Sequence, residues 1–125
     1  MYMLRKILYI DDDIDSRMIV ANYLRNLGYD ILTVEDADDA LRVAAENRVD
    51  VMVLDVNLIG TDGPELMEQL QHVHPGVPVI LLSGMDGNAT KVTRMLEMGA
   101  HQFVSKNGPL DLLVRALQNT LHTVH

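Results

Sequence analysis

The sequence predicts a (βα)5 fold, a five-stranded parallel sheet with helices on both faces. Three observations carry that expectation. Short apolar runs alternate with segments of helical spacing from one end of the chain to the other. Runs at residues 7–10, 51–54 and 79–82 are nearly continuous in apolar residues, as strands buried on both faces require. Glycines and prolines mark the boundaries between the two kinds of segment.

The elements follow in order. Residues 7–10 (Ile-Leu-Tyr-Ile) form the first strand. The next segment has Val20, Leu24 and Leu27 at helical spacing and closes on Gly28, a residue suited to the left-handed turn past a helix end. Residues 31–34 read as a short second strand, and Asp36 can cap a helix carrying Leu41 and Ala44. The third strand is residues 51–54. Pro64 fits the first turn of a helix with Leu66, Leu70 and Val73 inward. His74-Pro75-Gly76 turns the chain into the fourth strand, residues 79–82, and a helix around Val92 and Leu96 stops at Gly99. Residues 102–105 form the fifth strand, and Pro109 opens a helix with Leu113, Leu117 and Leu121 on one stripe. Strands two and five carry the polar Thr33 and His101-Gln102, which suits edges. The order 2-1-3-4-5, a common doubly wound arrangement, puts those two strands outermost.

The 125 residues fit one domain, spanning 1–125, with no repeat, low-complexity tract or linker, and nothing after Leu121 reads as an effector. Eighteen acidic residues against ten basic ones give a formal net charge of −8. That balance argues against bulk binding to nucleic acid or anionic lipid, since both need a basic face. Without cysteine there is neither a disulfide nor a thiolate metal site. The apolar start is too short for a secretory leader or a membrane span, so the cytoplasm is the default location.

In open α/β sheets, ligands bind beyond the carboxyl ends of the strands, where the strand order reverses. Here that point lies between strands one and three. Strand one ends in Asp11-Asp12-Asp13, strand three in Asp55, and strand four in Ser83; Lys106 follows strand five. Two carboxylates about 4 Å apart repel by roughly 4 kcal/mol at an effective dielectric near 20. Either their pKa values rise or a cation joins them. Oxygen donors alone favour a hard ion, magnesium above calcium. Asp13 or Asp15 reads more simply as a helix cap. His72, His74, His122 and His125 lack metal-ligand spacing and read as solvated residues.

These residues resemble the receiver domains of bacterial response regulators, the CheY-like superfamily. The carriers are Ile7-Leu8-Tyr9-Ile10-Asp11-Asp12-Asp13, Val53-Leu54-Asp55-Val56-Asn57-Leu58 with Asp62-Gly63, Leu82-Ser83-Gly84, and Gly99-Ala100 through Phe103-Val104-Ser105-Lys106. The resemblance implies a flavodoxin-like fold and a phosphoacceptor, Asp55. It implies Mg2+ bound by Asp12, Asp55 and the backbone carbonyl of Asn57, with Asp11 acting mainly through water. Ser83 and Lys106 would contact the phosphoryl group, and Ser83 with Phe103 would form a switch. The phosphoryl group would come from a histidine kinase or phosphotransfer protein. The fourth helix, fifth strand and fifth helix would present the face for a downstream protein or output domain, with no turnover of an external substrate. Lys91, Arg94, Met85, Met95 and Met98 would fall near that face, although core filling by the methionines is the simpler reading.

Three departures from the family pattern bear on the chemistry. Ile59 stands where the family often has proline, which implies a less rigid loop. Asn107 stands where a cis proline is common, and a non-proline cis bond costs about 3 kcal/mol, so a trans bond is predicted. Met85 stands where rapidly dephosphorylating relatives carry a water-placing polar side chain. The rival from another class is a Mg2+-dependent phosphatase of the haloacid dehalogenase type, matched by Asp11-x-Asp13 but not by Ser83-Gly84-Met85-Asp86. A flavodoxin-like electron carrier fits less well, lacking a phosphate loop after strand one. Because Met85 cannot place water, phosphorylated Asp55 is expected to hydrolyse slowly. Decay followed by intact mass after removing the phosphodonor checks this, and a lifetime of seconds would count against it.

Overall fold

The structure is a computed structural model that describes residues 5–84 and 89–122. Five strands and five helices alternate in it: β1 (Lys6–Ile10), α1 (Ile14–Asn26), β2 (Asp30–Val34), α2 (Ala37–Glu46), β3 (Val51–Asp55), α3 (Gly63–Val73), β4 (Val79–Ser83), α4 (Ala89–Glu97), β5 (Gln102–Ser105) and α5 (Leu110–His122). All neighbouring strands pair in parallel, and their order is β2-β1-β3-β4-β5. The predicted fold and strand order therefore stand. This is the flavodoxin-like arrangement. No described helix is long and apolar enough to cross a membrane.

The period of two along a strand divides the core into two layers. Leu8, Ile10, Met52, Leu54, Val79 and Leu81 face α2, α3 and α4, whose contributions include Ala40, Ala44, Leu66, Met67, Leu70, Val92 and Met95. Ile7, Tyr9, Val51, Val53, Ile80 and Leu82 face α1 and α5. Because the central strands β1, β3 and β4 are covered on both faces, they had to be apolar at nearly every position.

Side-chain caps start α1, α2 and α3, at Asp13 and Asp36 as the sequence suggested and at Asp62 besides. Asp13 accepts from the Asp15 N–H and the Ser16 hydroxyl, Asp36 from the Asp39 N–H, and Asp62 from the Glu65 N–H. Gly28 and Gly99 take left-handed backbone (φ 99° and 115°) just past α1 and α4.

Four side chains differ from the sequence expectation. Leu27 is exposed because the chain turns at Gly28, and Tyr29 packs on the core in its place. In α4 the step of three from Val92 points Met95 into the core, leaving Leu96 at the margin. In α3 the buried stripe Leu66, Leu70 continues by four to His74, so Val73 turns outward. His74 is not a solvated residue. Its Nε2 lies 2.6 Å from the Ala44 carbonyl oxygen and 3.0 Å from that of Asn47, where the end of α2 leaves carbonyls without helical partners. His72 is exposed as expected, while His125 and the side chain of His122 lie outside the description.

Leu117 is fully buried between α5 and the sheet. Leu117→Ala is expected to destabilise the fold by about 2–5 kcal/mol. The midpoint shift in urea denaturation measures it.

Candidate functional site

Strand register builds the site. Ile10 pairs with Leu54, so the next residues, Asp11 and Asp55, leave adjacent strands side by side. Asp55 pairs with Leu82, which puts Ser83 one residue further along β4. Ser83 pairs with Ser105, and the Lys106 N–H donates to the Ser83 carbonyl at 2.9 Å, bringing Lys106 to the same edge. Parity then directs Asp11 and Asp55 to the face shared with Tyr9 and Val53.

The carboxylates converge. One oxygen each from Asp11, Asp12 and Asp55 lies within 4.8 Å of the others. Asp11 is fully buried and Asp55 is 4% exposed, while Asp12 sits at the rim. Lys106 Nζ reaches between two of them, 2.8 Å from Asp11 Oδ2 and 3.0 Å from Asp55 Oδ2. The second Asp55 oxygen accepts from the Asn57 N–H at 2.9 Å. Two of the three carboxylates thus share one ammonium, and Asp12 has none among the described residues. An all-oxygen donor set with excess negative charge can hold a hard divalent cation.

The charge states follow. Burial pushes the Asp55 carboxyl above its ordinary value, and the Asp11 charge adds to the rise. The Asn57 N–H and Lys106 pull it back only in part. Burial alone would lower the Lys106 ammonium, but hydrogen bonds to Asp11 and Asp55 reverse that and raise it. Burial, then the Asp11 hydrogen bond, drives the Tyr9 phenol far above its usual range. Lys106 therefore stays charged and Tyr9 stays neutral.

Asp11, Asp12, Asp55, Asn57, Ser83 and Lys106 all come to the carboxyl edge of the sheet, as the sequence implied. Phe103 is 47% exposed on β5, outside both core layers. Among the candidates for a partner face, Met95 is buried in the core and Met98 packs against it, while Met85 lies outside the described residues. Lys91 Nζ turns to the Val56 carbonyl at 3.3 Å. Asp13 is occupied in its helix cap, so the Asp11-x-Asp13 pair of the phosphatase reading is not assembled.

Three contacts escaped the sequence reading. The Tyr9 hydroxyl donates to Asp11 Oδ2 at 2.5 Å; alternation along the strand was the available signal. The Ile59 N–H donates to Asp12 Oδ2 at 2.9 Å, so this loop is tied down rather than loosened, by a donor that proline would lack. The Asn107 side-chain amide donates to the Gly84 carbonyl, joining the loops after β4 and β5. No cis peptide bond occurs among the described residues, so the Lys106–Asn107 bond is trans as predicted.

Fold and site together define a doubly wound α/β domain with a carboxylate-lined crevice at its switch point. The family model described as "Response regulator receiver domain" matches residues 7–118, and the chain belongs to that family. It is 36% identical over 124 residues to the nitrogen assimilation regulatory protein NtrX of Azorhizobium caulinodans, covering 98% of this chain and 27% of that protein. It is 35% identical over 104 residues to the alkaline phosphatase synthesis transcriptional regulatory protein PhoP of Bacillus subtilis, covering 83% and 43%. The crystal structure of the NtrX receiver domain from Brucella abortus superposes with a TM-score of 0.87 at 33% identity, covering 94% of this chain and 98% of that one. The chain thus spans less than half the length of these curated regulators.

A carboxyl whose pKa is raised by folding stabilises the fold below its unfolded pKa and loses that contribution as pH rises through the folded value. Ionised Asp55 therefore costs stability at neutral pH. Asp55→Asn is expected to raise the thermal midpoint at pH 7, with a gain that shrinks as pH falls into the carboxylate range. Thermal melts of both proteins across pH check the sign; an Asn variant less stable at pH 7 would contradict it.

Proposed function

We propose that this domain takes a phosphoryl group onto Asp55 from the phosphohistidine of a histidine kinase or phosphotransfer protein in the cytoplasm. The observation that carries the reading is the shared crevice of Asp11, Asp12, Asp55 and Lys106. In the transfer, a lone pair of the Asp55 carboxylate forms the O–P bond. The P–N bond to the donor imidazole breaks, and its electron pair leaves with that nitrogen, which takes up a proton.

Each residue has a physical task. Asp12, Asp55 and the Asn57 carbonyl would hold Mg2+ directly, and Asp11 would act through a bound water. When bound, the ion would neutralise the repulsion between the Asp55 carboxylate and an anionic phosphoryl donor. Lys106, charged and already 3.0 Å from Asp55 Oδ2, would pair with a phosphoryl oxygen. Ser83, at the end of the neighbouring strand, would donate to another.

The same reading extends to signalling. As Ser83 moves toward the phosphoryl group, the half-exposed Phe103 would turn inward and alter the face of α4, β5 and α5. A downstream protein or an output domain would read that face. The acidic character of the chain leaves nucleic acid outside the direct partners. No external substrate is turned over.

Intact mass after incubation with acetyl phosphate and Mg2+ tests the core of this reading. One added phosphoryl group is expected, dependent on Mg2+ and absent in Asp55→Asn. Lys106→Met is expected to slow its appearance roughly 100-fold, the scale for losing one charge-stabilising donor. A folded wild-type protein that gains nothing would overturn the proposal.

A further inference from the structure

Tyr9 is fully buried in the layer facing α1 and α5, two residues before Asp11. Alternate residues of a strand share a face and lie roughly 6.6 Å apart, a step that a phenol spans. Its hydroxyl reaches Asp11 Oδ2 at 2.5 Å, and Lys106 Nζ reaches the same oxygen at 2.8 Å. Asp11 Oδ1 is taken by the Asp13 N–H at 2.9 Å. One buried carboxylate oxygen therefore has two donors, and one of these, Lys106, is also bonded to Asp55 at 3.0 Å.

Resting on the reading of Asp55 as phosphoacceptor, we propose that Tyr9 is a positioning residue whose hydroxyl holds Asp11 Oδ2 while Lys106 moves to the phosphoryl group. Without the phenol, that movement would leave a buried carboxylate oxygen with no protein donor, which is costly. Lys106 would then stay on Asp11. Phenylalanine would fill the same apolar space but supply no hydrogen bond. It would also leave more charge on Asp11 for a cation.

Two effects of opposite sign follow for Tyr9→Phe. Mg2+ should bind more tightly and phosphorylation at saturating Mg2+ should slow, each by roughly three- to tenfold, the range of one net hydrogen bond. A phenol that is merely a satisfied core group would change thermal stability and neither of these quantities.

The test compares wild type, Tyr9→Phe and Asp55→Asn. Mg2+ affinity is read from the amide NMR shifts of Asp13 and Asn57, and the phosphorylation rate from intact mass with acetyl phosphate. Tighter Mg2+ binding together with slower phosphorylation in Tyr9→Phe supports the proposal. Unchanged values, or values that both weaken, overturn it. If wild type binds Mg2+ but gains no phosphoryl group, the phosphoacceptor reading fails, and unchanged Mg2+ affinity in Tyr9→Phe then overturns the Tyr9 role separately. A wild type that does neither overturns both. Should Tyr9→Phe fail to fold, 13C labelling of the tyrosine Cζ carbons in wild type decides. Mg2+ should then shift the buried Tyr9 resonance, and an unmoved resonance overturns the proposal.

Discussion

Crowding of like charge at the ends of two adjacent strands is the constraint on which the rest of the molecule turns. Asp11 and Asp55 follow paired residues on β1 and β3, so the sheet leaves them no route apart. Their repulsion is strong because both are buried, where the effective dielectric is low. The fold answers with a cation from β5, two strands beyond β3. The flexible stem of Lys106 carries its charge to both carboxylates at once. A slip of one residue in β1 or β3 would turn its carboxylate to the opposite face and break the arrangement.

Around this charged centre the loops are fastened by polar contacts. The Ile59 N–H joins the loop after β3 to Asp12. Asn107 joins the loop after β5 to the end of β4. Arg17, on α1, donates to the Asp11 carbonyl at 2.8 Å and lies 3.6 Å from Glu35. Each contact satisfies a polar group at the carboxyl edge of the sheet, where regular pairing ends and backbone groups need partners. The crevice is consequently a set of tied loops over a rigid sheet, which suits a site that must position charge.

Much of the fold was legible because burial on both faces leaves a plain record in composition. Continuous apolar runs identified β1, β3 and β4, and Thr33 and Gln102 marked the edges. The stripe Leu113, Leu117, Leu121 located α5 and its inward face. Errors fell where helical spacing allows two neighbouring choices, as with Met95 against Leu96. They also fell at helix ends, where a turn hands the inward position to a residue beyond the helix, as Tyr29 replaces Leu27 and His74 replaces Val73.

By itself, the sequence determined the alternation of elements, the strand order and the edge at which the acidic residues collect. These depend on local periodicity and on the topological rule that ligands meet strand ends. Tertiary structure alone decided which partner each polar group takes. The Tyr9 phenol on Asp11, the ammonium shared by Asp11 and Asp55, and the loop N–H on Asp12 join residues through the space above the sheet. Their distances depend on register, backbone path and rotamer together, and no pattern along a single chain records those.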